Sequence, residues 1–180
     1  MATIALQPVC PVITASGEDV IMSFPEASSQ TFKVGEPVYL ASGGLTICAA
    51  NPAKILGFAA DNASGTAGTL IGVYLAVPTT FFAANLVTSG NANGNNVAPA
   101  GAVTAQALLG LSYGLNIDGT NHITTVDTSD TGSSKERVVP FAILNAYGQA
   151  DPSHGILGDT GARVLFTVMP AYCQLTMLSS

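Results

Sequence analysis

The sequence predicts an all-β fold, a β-barrel or β-sandwich with at most one short helix, preceded by an extended N-terminal arm. Three observations carry this. Short runs rich in Val, Ile, Leu, Phe and Tyr recur along the chain, and Gly, Asn, Ser and Pro separate them at intervals of roughly ten residues. Only one stretch keeps a helical spacing. At 180 residues the chain has the length of one domain, or one domain with an arm, and can bury a core without disulfides or metals.

In chain order, residues 1–29 read as the arm. Pro8, Pro11 and Pro25, with polar stretches at Ser16–Asp19 and Ser28–Gln30, interrupt any helix there. The plainer alternative is a frayed terminus with one edge strand. A single β-rich domain is expected over 30–180. It begins with TFKVGEPVYL (31–40), two short strands around a Gly35–Glu36–Pro37 turn. LTICAA (45–50), KILGFAA (54–60) and LIGVYLAV (70–77) follow, and Thr79, Phe81 and Phe82 open a strand running to about Val87. Residues 89–102 form a polar loop in which Asn93–Gly94 suits a tight hairpin turn. VTAQALLGL (103–111) is the helical candidate, with Gly110 as its C-cap. SYGLNI (112–117) and HITTVD (122–127) make a hairpin across Asp118–Gly119–Thr120–Asn121. RVVPFAILNAY (137–147) is a strand that Pro140 marks as an edge or bulge. ARVLFTVMPAY (162–172) is the last strand, with CQLTML continuing it.

Charge is the strongest compositional anomaly. Charged residues make up 9% of the chain, against roughly 25% in ordinary soluble domains. Much of the surface must then consist of Ala, Gly, Ser, Thr and Asn, which resist desolvation weakly and suit extensive protein contact. Five basic residues (Lys33, Lys54, Lys135, Arg137, Arg163) and a net charge of -6 argue against nucleic acid and against anionic membranes. No basic, uninterrupted apolar leader is visible at the N-terminus and no apolar run reaches membrane-spanning length. Cys10, Cys48 and Cys173 are odd in number and far apart, the pattern of reduced thiols in a protein synthesised in cytoplasm. The sequon Asn62–Ala63–Ser64 is accordingly discounted.

No motif assigns catalytic, cofactor-binding or metal-ligating residues. GILGDTG, with Gly155, Gly158 and Gly161, precedes a strand and opens no helix, so it lacks the amide cradle that binds phosphate. His122 with Asp127, or His154 with Asp159, would need a Ser or Cys nucleophile aligned with it, and no spacing enforces that; hairpin or surface histidines are the simpler reading. Asp127–Gly132 carries oxygen side chains at alternating positions as a calcium loop does. Val138 stands where a bidentate Glu is required, with Glu136 near it, so a polar turn is the simpler reading. Cys48 and Cys173 read as packed thiols, and no cysteine has a basic neighbour in sequence. Tyr39, Tyr74, Tyr113, Tyr147 and Tyr172 fall at strand positions, where packing explains them better than sugar stacking.

Three phrases in order carry a resemblance. VGEPVYLASGGLTICAANPAKILGFAADNASG (34–65), ALLGLSYGLNIDGTNHITTVDTSD (107–130) and GDTGARVLFTVMPAYCQL (158–175) resemble, in that spacing, the capsid decoration (cement) proteins of tailed bacteriophages. The resemblance implies a compact β-barrel or β-sandwich without catalysis or cofactor. It implies a homo-oligomer, a trimer favoured over a dimer, bound to major capsid protein on the outer surface of the virion, at junctions between subunits. Two other readings stay open: another virion component (head fibre base, tail or minor capsid protein) and a glycan-binding β-module.

Overall fold

The structure, a computed structural model, describes residues 7–14, 21–88, 105–144 and 163–176. Among these the chain is all-β, in two sheets with no closed barrel. The strands are β1 (Cys10–Thr14), β2 (Ile21–Pro25), β3 (Pro37–Ala41), β4 (Gly44–Ile47), β5 (Gly57–Ala59), β6 (Leu70–Leu75), β7 (Thr80–Val87), β8 (Gly114–Asp118), β9 (Ile123–Asp127), β10 (Val138–Ile143) and β11 (Arg163–Val168). The first sheet runs β10-β11-β7-β9-β8, with β1 also paired to β7. The second runs β2-β6-β5-β3-β4. Its outer strands approach each other at the Glu26–Leu45 bridge, so it is strongly curled.

Period-two alternation decides which side chains meet. On β7, Phe82, Ala84 and Leu86 face the main core, and Ala83 between them faces a smaller cluster on the opposite side. On β11, Val164, Phe166 and Val168 face the main core while Leu165 joins that smaller cluster. The second sheet behaves likewise: Phe58 enters the main core, whereas Val38, Leu45, Ile71, Val73 and Leu75 fill a core of their own with Phe32. Phe58 joins the sheets directly. Its ring centroid lies 4.6 Å from that of Phe82 and 5.9 Å from that of Phe166, the spacing of tilted and edge-on aromatic pairs. Gly57 precedes it because β5 and β6 run too close for a side chain there. A Cβ would press into the Tyr74 carbonyl.

Several expectations change. The segment expected as an arm contributes two strands, with Cys10 opposite Ala83 of β7 and Ser23 opposite Gly72 of β6. The prolines that exclude a helix do not exclude short strands, since Pro25 ends β2 and the register of β1 shifts after Pro11. Residues 31–34 are not a strand: Phe32 is the one buried residue among them, and Lys33–Glu36 form a turn closed by a bond from Glu36 N–H to Lys33 O of 3.1 Å. The helix expected over 103–111 is, in its described part, a single 3-10 turn at Gln106–Leu108. Gly110 follows with φ of 80°, and its N–H donates to Pro140 O. CQLTML does not extend β11. After Val168 the chain makes a 3-10 turn at Pro170–Tyr172 and crosses to the second sheet, where Cys173 bridges Ile55. The Gln174 side chain there accepts from Leu40 N–H and donates to Leu40 O, both at 2.8 Å. The hairpin of 112–127 forms as β8 and β9, and β10 is an edge strand whose register shifts between Pro140 and Ala142.

Replacing Phe82, which is 0% exposed, leaves a cavity between the sheets. Phe82→Ala is expected to cost about 3–5 kcal/mol, read as a lower urea midpoint with an unchanged denaturant slope.

Candidate functional site

The residues considered for chemistry are dispersed. His122 sits in the β8–β9 turn at φ of 57°, a left-handed conformation that His tolerates better than most residues. Its Nδ1 lies 3.1 Å from Glu36 Oε2, not on Asp127. Asp127 instead accepts from the Ser129 N–H and hydroxyl. Glu36 is fully buried, also accepts from Lys33 N–H at 2.6 Å, and has no partner for Oε1. Among the described residues no hydroxyl or thiol is bonded to His122, so the pair ties the β8–β9 turn to the start of β3 without a nucleophile beside it. The 127–136 segment is a set of turns in which Asp130 binds Lys135 Nζ at 2.7 Å. No group of three or more His, Cys, Asp or Glu side chains is placed to hold a metal among the described residues. His154, Asp159, Tyr147, the 155–161 glycines and the 89–102 loop lie outside the described residues.

The other candidates are structural. Tyr113 is buried, which raises its pKa, and Tyr39, Tyr74 and Tyr172 pack against the main core. Asn62 of the sequon accepts from Val34 N–H, and Ser64 serves Glu26. Burial raises the thiol pKa of Cys48 and pushes that of Cys173 up to about 11. Cys10 differs. It is half-exposed, and Arg163 Nη2 donates to its sulfur at 3.3 Å, a basic neighbour 153 positions away that no local spacing reveals.

Two polar nodes brace the frame. Glu26, 0% exposed, accepts from Ser64 N–H (2.9 Å), Ser64 Oγ (2.7 Å) and Gly65 N–H (2.8 Å). Burial alone raises its pKa, but these bonds outweigh it and hold the carboxyl below its usual value. Asn51, at φ of 49°, receives Leu115 N–H on its side-chain oxygen and donates to Asp130 Oδ2 at 2.6 Å. Buried Arg137 donates to the carbonyls of Pro52, Asn51, Ser134 and Glu136 and stacks on Tyr172 with its guanidinium carbon 4.1 Å from the ring centroid. Desolvation raises the pKa of Asp130, but the bonds from Lys135 and Asn51 prevail and lower it.

The surface feature that stands out is β2. Its sequence IMSFP carries no charge; Ile21 and Met22 are 51% and 50% exposed, and Leu70 beside it on β6 is 67% exposed. Gly72 directs its N–H to Asp61 and its C=O to Ala60 N–H. Ser23 opposite it is therefore in a non-hydrogen-bonded pair, and its own N–H and C=O point to the outer edge. The outer edges of β4 and β10, by contrast, find partners. Ile47 of β4 donates to the Gln30 side chain, and Gly110 and Tyr113 donate to the carbonyls of β10. Among the described residues nothing pairs with the outer edge of Ile21–Phe24. Uncharged, apolar and unpaired edges are the ones that natural sheets normally protect.

Glu26→Gln sets an amide N–H group against donors and is expected to destabilise by about 1–3 kcal/mol at pH 7. Because the folded carboxyl titrates below its usual value, its contribution is complete above the unfolded pKa and is lost as pH falls through the folded one. The gap between wild type and variant should therefore close below about pH 4, as followed by urea melts across pH. Thiol labelling of the native protein should modify Cys10 first, with Cys48 and Cys173 reacting only on unfolding; equal rates at all three would contradict the burial described.

No family model, curated protein or solved structure matches the chain.

Proposed function

We propose that this chain is a structural virion protein, a decoration protein that binds the outer surface of a phage capsid where major capsid subunits meet and stabilises the expanded head. The observation that carries the reading is the uncharged, half-exposed β2 edge with Leu70, on a chain in which only 9% of residues are charged. Such a surface loses little hydration on contact, and its outward N–H and C=O groups can bond an extended segment of a neighbour. The order and spacing of the three phrases at 34–65, 107–130 and 158–175 direct the reading to capsids.

The mechanism follows from linkage. Packaged DNA strains the contacts between capsid subunits, and a protein bridging them adds contacts that must break before they separate. Preference for the expanded lattice stabilises that lattice by mass action. A homo-oligomer, a trimer by preference, would engage several equivalent footprints at once, so modest single contacts sum to firm attachment.

Purified protein mixed with expanded and unexpanded heads tests this by co-sedimentation. Binding is expected on expanded heads only, with a raised temperature of DNA release. Paired Ile21→Lys and Leu70→Lys substitutions are expected to weaken attachment by tenfold or more, on the order of 1.4 kcal/mol. Equal binding to both head forms, or heads no more stable with the protein than without it, would refute the reading.

A further inference from the structure

The five cations of the chain are disposed very differently. Arg137 and Arg163 are committed to carbonyls and neighbouring side chains, and Lys135 to Asp130. Lys33 is exposed on a turn. Lys54 lines a concave pocket of about 240 Å³ together with Tyr39, Ala49, Pro52 and Ala53. Its Nζ lies 5.7 Å from the centre of the Tyr39 ring, and no described carboxylate pairs with it. The pocket thus has apolar walls and one uncompensated positive charge, on a chain whose net charge is -6.

Its walls are held from both ends. Cys48 N–H donates to Pro37 O and Ile55 N–H to Tyr172 O. Between them Arg137 grips the carbonyls of Asn51 and Pro52, and the Asn51 side chain is tied to Leu115 and Asp130. A shape fixed before contact spares the ordering cost of binding. Drug-sized ligands occupy roughly 300–1,000 Å³, so this smaller space suits a single side chain, the kind of pocket in which an interface anchor is buried.

We propose that this pocket is a docking site for a peptide segment of a partner protein, which inserts one apolar side chain against Tyr39 and Pro52 and places an adjacent carboxylate on Lys54. Charge complementarity selects the occupant. An acidic segment is repelled by the chain as a whole and attracted at this point, which sets the register of contact. Identifying the partner as the major capsid protein rests on the function proposed above; the chemistry of the pocket does not.

The test titrates the ¹⁵N-labelled full chain with acetyl-Leu-Asp-Leu-amide and with its Asn counterpart, following amide resonances. Saturable shifts are expected at Ala49, Ala53 and Lys54. They should weaken by about three- to fivefold with the Asn peptide and, for the Asp peptide, in Lys54→Met, as expected for one exposed charge pair. Shifts that are absent, or equal for the two peptides, overturn the proposal. A second arm measures expanded-head binding by Lys54→Met and by Ala53→Arg, which fills the pocket from an exposed position. Multivalent attachment should amplify the loss to roughly tenfold or more, with thermal stability unchanged. If wild-type protein binds heads and both variants bind equally well, the pocket is not the capsid contact and the proposal fails there. If wild-type protein binds no heads while the peptide result holds, the capsid reading falls and the docking site stands.

Discussion

The contact of Phe58 with Phe82 and Phe166 is the interaction on which the rest of the structure depends. Each sheet alone presents an apolar face to water, and these three rings, all 0% exposed, close the two faces on each other. The chain passes repeatedly between the sheets, from β1 to β2, from β6 to β7 and again after β11. The second sheet is one continuous stretch of sequence, β2 to β6, and the first takes β1 from before it and β7 to β11 from after it, so the first sheet closes only around the second. Loosening the aromatic contact therefore loosens both sheets together, and the described residues form one packing unit with subsidiary cores on its outer faces.

Polar side chains do a second job around that core. Glu26, Glu36, Asp118, Asp127 and Arg137 are all buried, so five of the twelve charged residues among the described ones lie inside. Glu26 and Arg137 replace backbone partners that irregular segments cannot find locally. Gln30 and Gln174 do the same with amides, bonding the backbone of Ile47 and Leu40. The consequence reaches the surface. With those charges drawn inward, the exterior of the described residues stays as sparse in charge as the composition, and this favours protein contact over solvation.

Legibility in the sequence followed the strength of the alternation. β6, β7, β11 and the β8–β9 hairpin have apolar periodicity and turn residues that agree, and each forms close to where it is expected. β1 and β2 do not announce themselves, because prolines and polar neighbours mask strands of five residues. Residues 103–111 carry a helical spacing too short to nucleate a stable helix. In the described part only one 3-10 turn forms, where Gly110 and Tyr113 instead cover the edge of β10. CQLTML looks like strand because its composition is strand-like, yet Cys173 and Gln174 are claimed by the other sheet.

By itself the sequence determined the all-β class, the two faces of each long strand and the scarcity of charge, since these depend on local periodicity and composition. Tertiary structure decided every pairing of consequence. His122 meets Glu36 across 86 positions, Arg163 reaches Cys10 across 153, and Asn51 joins Leu115 to Asp130. It also decided that, among the described residues, the outer edge of Ile21–Phe24 has no partner and Lys54 lines a pocket without a carboxylate beside it. Such contacts follow from sheet order and register, which arise from burying all the faces at once, and no single stretch of residues encodes them.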